Sequence, residues 1–268
     1  MVRAPISPAT AADLWRTAHA LADVARPVTL ASFRQPDLQA DNKDANGFDP
    51  VTVADRAAEA AMRDTLARLR PQDAVLGEEA GATPGTSGLT WVLDPIDGTR
   101  AYLSGTPTWG VLIGLADAQG PILGIVDQPF IGERFCGGLG TAHVTGPQGK
   151  QRLATRPARA LSQSVVFTTF PEIGTHAERQ AFERVSAQAR LTRYGMDCYA
   201  YALLASGQID LVIEAGLHSY DVMAPIAVIE AAGGIVTNWQ GGPAHHGGQV
   251  IAAANASVHA EALAFLAR

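Results

Sequence analysis

The N-terminal part of the chain contains two stretches of helical periodicity separated by a polar stretch. Apolar side chains recur at three- and four-residue spacing over Leu14–Ala25, after a Ser7-Pro8 start, which predicts an amphipathic helix. We expect this helix to end before Pro27, because proline interrupts the helical hydrogen-bond ladder. The same periodicity predicts a second helix over Ala54–Leu69. Residues 34–50 are polar and contain turn formers, which predicts a loop or an irregular hairpin.

The middle of the chain changes to short apolar runs that are punctuated by glycine and proline. This pattern predicts strands, and their short spacing favours an antiparallel meander. The predicted strands are Ala74–Leu76, Trp91–Leu93, Val111–Leu115, Ile122–Val126 and Phe135–Gly137. A polar stretch at 146–157 then forms the candidate junction between an N-terminal α+β domain, 1–148, and a C-terminal α/β domain, 149–268.

Strands and helices alternate in the second half of the chain, which predicts a three-layer α/β unit. The predicted strands there are Val165–Thr168, Ile209–Ile213, Ile235–Trp239 and Val250–Ala253. The predicted helices are Thr175–Arg190, Asp197–Ser206, Asp221–Ala232 and Ser257–Arg268.

Composition narrows the class of protein and its partners. The chain has 268 residues, of which 47% are hydrophobic and 17% charged, as in a globular protein. A net charge of −6 without a basic block argues against a nucleic-acid partner. No apolar run approaches the roughly 20 residues of a membrane span, and no signal peptide is recognisable. The two separated cysteines, Cys136 and Cys198, are typical of free thiols, so we expect a soluble cytoplasmic protein.

Candidate chemistry begins where an apolar strand runs into the acidic turn Asp94-Pro95-Ile96-Asp97-Gly98-Thr99. Two carboxylates three residues apart repel each other unless a cation lies between them. Their hard oxygen atoms suit Mg²⁺. Gly98 and Thr99 would then offer backbone N–H groups to a phosphate at a helix start. Taken alone, the same turn has a simpler interpretation, a strand end followed by an aspartate-capped surface turn.

Three further acidic features lie at the ends of predicted elements. Gly77-Glu78-Glu79 follows a strand, Asp55 lies in the first turn of a helix, and Asp221 opens another helix. Taken singly, these acids are explained by solvation at a strand end, a favourable charge in a first turn, and an N-terminal cap. Because strand ends and helix starts are where a shared site gathers its residues, we favour one common site.

These motifs together resemble the inositol monophosphatase superfamily. Asp94–Thr99 is similar to its first signature, and Tyr220-Asp221 through Gly233-Gly234 is similar to its second. Gly77-Glu78-Glu79 and the Val-Thr-x-Ala-Asp stretch that ends in Asp55 are also motifs of that family, in the same order. The resemblance implies an α/β fold, a five-layer αβαβα sandwich of the inositol monophosphatase / fructose-1,6-bisphosphatase type, usually assembled as a homodimer. It also implies a Mg²⁺-dependent phosphate-monoester hydrolase.

The resemblance assigns metal ligands to individual positions. One Mg²⁺ would be held by Glu78, Asp94 and the carbonyl of Ile96. A second would be held by Asp94, Asp97 and Asp221. A third, weaker ion would contact Glu78 and mostly water. Two to three Mg²⁺ ions per active site are therefore expected.

Catalytic roles follow from the same resemblance. Glu78 and Thr99 would position the attacking water, and Asp55 would lie behind Thr99 as a hydrogen-bond acceptor. The N–H groups of Gly98 and Thr99 would bind the phosphate.

Two acids in the second half bear on the substrate. By resemblance, Glu214 occupies the position that contacts inositol hydroxyls in inositol phosphatases. Asp197 puts an acid where those enzymes carry a small apolar residue. A carboxylate pair favours a cation, and L-histidinol phosphate carries an ammonium and an imidazole, whereas inositol phosphate offers hydroxyls. The Asp197–Tyr201, Asp97–Tyr102 and Thr106–Gly110 stretches resemble the histidinol-phosphatase branch, which implies a role in histidine biosynthesis.

Alternatives stay open for each substrate contact. Asp197 is also explained as a helix cap, and Glu214 as a solvated strand end. Arg100 would reach the phosphate or pair on the surface, and Lys43 in the polar loop would help to close the site. The alternative functions are an inositol-1-phosphate or related sugar or nucleotide phosphatase, and a non-catalytic phosphate-binding module.

Overall fold

A computed structural model describes residues 5–36, 38, 40–42 and 50–268 of the chain, and every structural statement below concerns those residues. Its helices are α1 Pro8–Ser32, α2 Val53–Leu69, α3 Thr99–Ser104, α4 His176–Ser186, α5 Asp197–Ala205, α6 Ser219–Ala231 and α7 Ala256–Leu266, with a 3₁₀ turn at Leu161–Gln163. Its strands are β1 Ala40–Asn42, β2 Pro50–Thr52, β3 Ala74–Gly77, β4 Gly81–Thr83, β5 Thr90–Asp97, β6 Gly110–Asp117, β7 Gly120–Gln128, β8 Glu133–Gly138, β9 Thr141–Gly146, β10 Gly149–Arg152, β11 Val165–Thr168, β12 Leu191–Tyr194, β13 Leu211–Leu217, β14 Ile235–Thr237 and β15 Gly248–Ala253.

The first helix corrects one prediction. The expected end of α1 at Pro27 is wrong, because the helix continues to Ser32 with the proline inside it. A proline costs one helical hydrogen bond and crowds the preceding turn. Here Ala25 and Thr29 are both buried on either side of it, so packing of the helix face continues through the proline. The Thr29 hydroxyl also donates to the carbonyl of Ala25, at 3.2 Å.

The predicted hairpin in the polar stretch is confirmed for its described residues, since β1 pairs antiparallel with β2. The first large sheet has the strand order β10-β9-β8-β7-β6-β5-β3-β4. The predicted antiparallel meander is confirmed from β5 to β8, and it continues through β9 and β10, which the sequence pattern did not predict. It is wrong for β3, which runs parallel to β5. The spacing of the strands does not reveal β4, which runs antiparallel to β3 at the edge of the sheet. After β4 the chain reverses once more, so β5 runs in the same direction as β3. The parallel pair brings the carboxyl ends of β3 and β5 to one sheet edge.

Helices cover both faces of this sheet. Val111 and Ile113 of β6 pack under α1 and α2, whereas Leu112 between them packs towards α5 and α6. Helix α6 lies directly on the sheet over Gly124 and Gly137. A Cβ atom at Gly124 would lie 2.2 Å from the Ala224 carbonyl oxygen, so only glycine permits this approach. The close contact holds the start of α6 next to the end of β5.

The second sheet has the order β12-β11-β13-β15-β14. Strand β11 runs parallel to β12 and β13, and β15 runs antiparallel to β13 and β14. Helices α5 and α6 lie between the two sheets, and α4 and α7 cover the outer face of the second. The result is the expected five-layer αβαβα sandwich. The chain passes from one sheet to the other between Arg152 and Val165. Among the described helices, none combines the length and apolar character needed to cross a membrane.

Candidate active site

The acidic turn forms at the end of β5, where the sheet ladder is irregular. Asp94 pairs with Leu112 of β6, but Asp97 pairs with Gly110, so three steps along β5 face two along its partner. Such a bulge re-aims side chains at a strand end. The Asp94 carboxylate accepts the N–H of Ile96 at 3.1 Å, which stabilises the turn. The two aspartates are thereby directed to one place.

Helix α6 supplies the third carboxylate. Carboxylate oxygens of Asp94, Asp97 and Asp221 lie within 4.8 Å of one another. Asp221 is the third residue of α6, and its carboxylate accepts the N–H of His218 at 2.6 Å. Asp221 therefore fits both interpretations. One carboxylate oxygen accepts the N–H of His218 at the start of α6, and the same carboxyl group belongs to the acidic cluster.

The cluster carries strong electrostatic repulsion. Burial, followed by the charges of Glu78, Asp97 and Asp221, raises the pKa of Asp94 well above its usual value. Burial and the charges of Asp221 and Asp197 likewise raise the pKa of Asp97. A divalent cation would relieve this repulsion, and carboxylate oxygens are the ligands that Mg²⁺ prefers. The chemistry of the donor set therefore fits the metal that the sequence predicts.

Glu78 reaches the cluster through the parallel pairing of β3 and β5. Gly77 lies opposite Leu93 in the ladder, and the N–H of Glu78 donates to the Leu93 carbonyl at 3.1 Å. The residue after this last register pair is an acid on both chain segments, Glu78 just beyond β3 and Asp94 within β5. The side chain of Glu78 also lies close enough to hydrogen-bond with Asp94 and to raise the pKa of that carboxyl group.

Thr99 and Gly98 form the start of α3. Gly98 has a φ of 84°, a left-handed conformation that favours glycine. The Thr99 hydroxyl lies 3.1 Å from the carbonyl oxygen of Ile96 and 3.5 Å from a carboxylate oxygen of Asp55. Asp55 thus lies behind Thr99, where the resemblance placed it, and the predicted ligand carbonyl of Ile96 adjoins the same hydroxyl.

Asp55 also stabilises the start of α2. Its second carboxylate oxygen accepts the N–H of Thr52 at 2.9 Å and the hydroxyl of Thr52 at 2.5 Å. Burial raises the pKa of Asp55 to about 6, with a smaller contribution from the charge of Glu78. Asp55 therefore lies in the first turn of α2, as predicted, and its carboxyl group also connects this helix to Thr99.

Asp197 lies beside the acidic turn without capping α5. The cap residue is Met196, and Asp197 is the first helical residue, with a left-handed φ of 46°. Its carboxylate accepts the Thr108 hydroxyl at 2.7 Å. A Cβ atom at Gly98 would lie 2.8 Å from the Asp197 carboxyl carbon, and the N–H of Cys198 donates to Asp97 at 2.7 Å. The helix-cap alternative is wrong, because this carboxylate faces the turn after β5.

Glu214 lies inside the second sheet, and the solvated alternative is wrong for it as well. The residue is 7% exposed, and one carboxylate oxygen accepts both the N–H and the hydroxyl of Thr169, at 3.0 and 2.7 Å. Burial raises the pKa of Glu214 to about 7, and the charges of Asp197 and Asp221 add to the shift. Glu214, Asp197 and the metal cluster therefore share one acidic region.

The two predicted basic contacts have different positions. The exposed guanidinium of Arg100 lies 4.8 Å from the centre of the Phe170 ring, and its charge lowers the pKa of Asp197 against the larger effect of burial. Arg100 therefore stands at the rim of the acidic region. Lys43 falls outside the described residues.

Sequence reasoning assigned no individual role to several residues of the site. Thr108 and Thr169 hold the two specificity acids, and Glu59 holds the backbone after Glu78. The Tyr201 hydroxyl is buried near Glu214 without a hydrogen-bond partner in the described part of the chain. Only Glu59 had a local signal, since it follows Asp55 by one helical turn and so lies on the same face of α2.

A five-layer sandwich whose carboxylates, from β5 and α6, gather at one sheet edge is the arrangement expected of an α/β protein with a divalent-cation site. Comparison with known proteins makes the class specific. The family model described as the inositol monophosphatase family matches residues 11–268. The chain therefore belongs to the inositol monophosphatase family, a family of metal-dependent phosphatases.

The relatives include proteins named as phosphatases of two different substrates, histidinol phosphate and inositol monophosphate. The chain is 42% identical to the bifunctional phosphatase IMPL2, chloroplastic, of Arabidopsis thaliana, over 83% of this chain and 63% of that protein, so it spans less than two thirds of that relative. It is 34% identical to a histidinol-phosphatase of Streptomyces coelicolor, over 95% of this chain and 97% of that protein. The solved structure of an inositol monophosphatase from Zymomonas mobilis is 38% identical, with a TM-score of 0.84, over 98% of this chain and all of that one.

Proposed function

We propose that the protein is a Mg²⁺-dependent phosphate-monoester hydrolase whose substrate is L-histidinol phosphate, with a role in histidine biosynthesis. The observation that carries the choice of substrate is the pair of acids beside the metal cluster. Asp197 and Glu214 come from different elements, and the charge of Asp197 raises the pKa of both Asp97 in the cluster and Glu214. The relative from Streptomyces coelicolor that is named histidinol-phosphatase supports the proposal.

Hydrolysis would begin with binding of the phosphate group at the end of β5. The metal ions, held by Glu78, Asp94, Asp97, Asp221 and the Ile96 carbonyl, would supply the positive charge that neutralises the phosphoryl oxygens and makes water more acidic. The N–H groups of Gly98 and Thr99, at the start of α3, would donate to phosphoryl oxygens. An acidic protein thereby binds an anionic ester.

The attacking water would be oriented by side chains of this chain. Thr99 offers a hydroxyl held by Asp55 and the Ile96 carbonyl, and Glu78 offers a carboxylate beside Asp94. Glu78 would accept the proton of the water as the new P–O bond forms. As the bond between phosphorus and the ester oxygen breaks, the leaving alkoxide would take up a proton from solvent and depart as the alcohol towards Asp197, whose carboxyl group lies against Gly98.

The leaving group would then be recognised by charge. An ammonium group that enters between Asp197 and Glu214 gains two carboxylate partners in a region that is largely screened from water. The threonine hydroxyls already satisfy one oxygen of each acid, so the remaining lone pairs are available to a donor. An uncharged polyol donates hydroxyl hydrogen bonds to the same carboxylates, but it brings no positive charge and so lacks the ion-pair attraction that an ammonium group gains.

Inositol 1-phosphate is the second candidate. The solved inositol monophosphatase from Zymomonas mobilis covers the whole fold at 38% identity. Glu214 would then accept hydroxyl groups of the ring, and Asp197 would contribute less.

Three esters distinguish these candidates. We would measure kcat/KM with Mg²⁺ for L-histidinol phosphate, for 3-(imidazol-4-yl)propyl phosphate, which lacks the ammonium group, and for inositol 1-phosphate. The proposal predicts a preference for L-histidinol phosphate of about tenfold or more over each of the others, since a charge-assisted hydrogen bond contributes about 1.5–3 kcal/mol. Equal rates with and without the ammonium group would contradict recognition by the acid pair. A preference for inositol 1-phosphate would establish the second candidate.

A further inference from the structure

Glu59 of α2 is a buried acid that lies next to the loop after β3. It is 1% exposed, although it has the charge and length of a typical surface residue. One carboxylate oxygen accepts the N–H of Glu79 at 2.7 Å, and the other accepts the N–H of Ala80 at 3.0 Å. Arg63, one turn later on α2, donates to the second oxygen at 2.7 Å. These bonds satisfy a buried charge that would otherwise be costly.

Gly77 makes room for this carboxylate. A Cβ atom at Gly77 would lie 2.2 Å from one Glu59 oxygen and 2.6 Å from the other. The side chain of Glu59 therefore fills the space beside Gly77 at the end of β3, where it contacts the backbone of the loop that follows. Arg63 extends the contact, since its guanidinium also donates to the carbonyl of Gly81 and to the hydroxyl of Thr83.

Glu78 is the residue between these fixed points. Its own N–H is held by the Leu93 carbonyl on one side, and the next two N–H groups are held by Glu59 on the other. The backbone that carries the Glu78 side chain is therefore anchored at consecutive residues. Asp55, four residues before Glu59 on the same helix, holds the Thr99 hydroxyl. One face of α2 thus supports both groups that are proposed to orient the attacking water.

We infer that Glu59, together with Arg63, is a positioning residue that sets the location of the Glu78 carboxylate for metal binding. The inference depends on the proposed role of Glu78 as a metal ligand, and it does not depend on which phosphate ester is the substrate. Glu59 does not need to contact a metal ion or substrate, because it acts through the backbone of residues 78–80. Partners that orient metal ligands affect metal affinity and activity by about ten- to a hundredfold.

Glu59→Gln tests the inference with little change in volume. The amide has one accepting oxygen, so its NH₂ group must face either the Glu79 N–H or the Ala80 N–H and Arg63. The loop then shifts in either orientation. We expect the dissociation constant for Mg²⁺, measured by calorimetric titration without substrate, to rise about tenfold. The value of kcat should fall by a similar factor at a fixed Mg²⁺ concentration, with recovery as Mg²⁺ is added.

Asp73→Asn is the matched control. Asp73 is a buried acid at the opposite end of β3, where it accepts Arg70 Nε at 2.7 Å and Trp91 Nε1 at 3.0 Å. The control should lower the Tm as Glu59→Gln does, with the Mg²⁺ dissociation constant unchanged within about twofold. Arg63→Lys is the alternative variant if Glu59→Gln does not fold. It keeps the positive charge but loses the guanidinium group that donates to the carbonyl of Gly81. It should raise the Mg²⁺ dissociation constant about threefold.

Two results would overturn the inference. One is a Glu59→Gln protein with a lowered Tm and the Mg²⁺ affinity of the wild type. The other is an Asp73→Asn protein that loses as much Mg²⁺ affinity as Glu59→Gln does. Neither result changes the preference among phosphate esters. Conversely, a wild-type preference for inositol 1-phosphate would reject the proposed substrate and leave the effect of Glu59 on Mg²⁺ binding as predicted.

Discussion

The two acidic regions that meet at the end of β5 differ in how their charges are satisfied. In the metal cluster, Asp94, Asp97 and Asp221 lie within 4.8 Å of one another. Each of these carboxylates accepts a backbone N–H group, and the Glu78 side chain adds a contact to Asp94. Beside it, Asp197 and Glu214 each accept a threonine hydroxyl, and they come from separate elements of the C-terminal half.

We propose that this difference separates catalysis from selectivity. A cation would relieve the repulsion among these carboxylates, so we expect the first region to bind metal whatever the substrate. Carboxylates that are already partly hydrogen-bonded stay in place without a cation and offer their remaining lone pairs to a ligand. Substitutions in the first region should therefore abolish all turnover, and substitutions in the second should change the choice of substrate.

Asp94→Asn has the largest expected effect and tests the first half of this division. Loss of a shared metal ligand removes several kcal/mol of transition-state stabilisation, so kcat should fall on the order of a thousandfold or more for every ester. In EDTA the Tm should be unchanged or higher, since one repelling charge is removed. Phosphate release and thermal unfolding check the two parts. A large loss of Tm in EDTA would mean that Asp94 stabilises the fold instead.

Asp197→Asn tests the second half with a change of charge alone. Asparagine tolerates the left-handed backbone at this position and can still accept the Thr108 hydroxyl. We expect kcat/KM for L-histidinol phosphate to fall about ten- to a hundredfold, which corresponds to about 1.5–3 kcal/mol. For inositol 1-phosphate it should stay within about twofold. Equal losses of kcat/KM for both esters would show that Asp197 acts on the metal cluster. The two acidic regions would then not have separate roles.

Glu214→Gln has the smallest expected effect and concerns the pH dependence of stability. Burial raises the pKa of Glu214 to about 7 from its ordinary 4.5. Between these pH values the folded state binds more protons than the unfolded state, so the free energy of unfolding falls as pH rises through that window. The variant lacks this contribution. In EDTA it should lose less stability than the wild type between about pH 5 and about pH 8, by on the order of 1–3 kcal/mol.

Urea unfolding at the two pH values measures that difference. The amide oxygen of glutamine can still accept both hydrogen bonds from Thr169, so packing changes little. Titrating acids remote from Glu214 are common to both proteins and cancel, so the difference reports Glu214 together with the two acids that interact with it, Asp197 and Asp221. Identical pH dependence in the two proteins would show that Glu214 is ionised throughout, and the acid pair would then carry a full charge at every pH tested.

Local patterns predicted the elements of the fold better than their directions. The amphipathic pattern of α2 and the glycine stop after α6 follow from neighbouring residues, and both helices form as expected. The parallel direction of β3 depends on β4, a three-residue edge strand with no hydrophobic run. Continuation of α1 through Pro27 depends on burial of Thr29 against other elements. The direction of β3 and the end of α1 both depend on contacts between residues far apart in the chain. The hydrophobic periodicity of a local segment contains no information about such contacts.

The same distinction applies within the site. Asp94 and Asp97 are neighbours in the chain, and the motif around them predicted their convergence, which the carboxylate distances agree with. Asp197 and Glu214 were identified as acids, but their hydrogen-bonding partners, Thr108 and Thr169, are far from them in the chain. A pairing over such separations depends on how the layers stack. The roles of all these residues remain predictions that the substitutions above address.

A Mg²⁺ titration of phosphate release, run in parallel with L-histidinol phosphate and inositol 1-phosphate, tests whether one metal cluster serves both esters while the acid pair selects between them. The account predicts no release in EDTA and recovery at the same half-saturating Mg²⁺ concentration for both esters, because they share one metal cluster. It also predicts a higher kcat/KM for L-histidinol phosphate at saturating Mg²⁺. Release that persists in EDTA, or an equal kcat/KM for the two esters, would contradict the account.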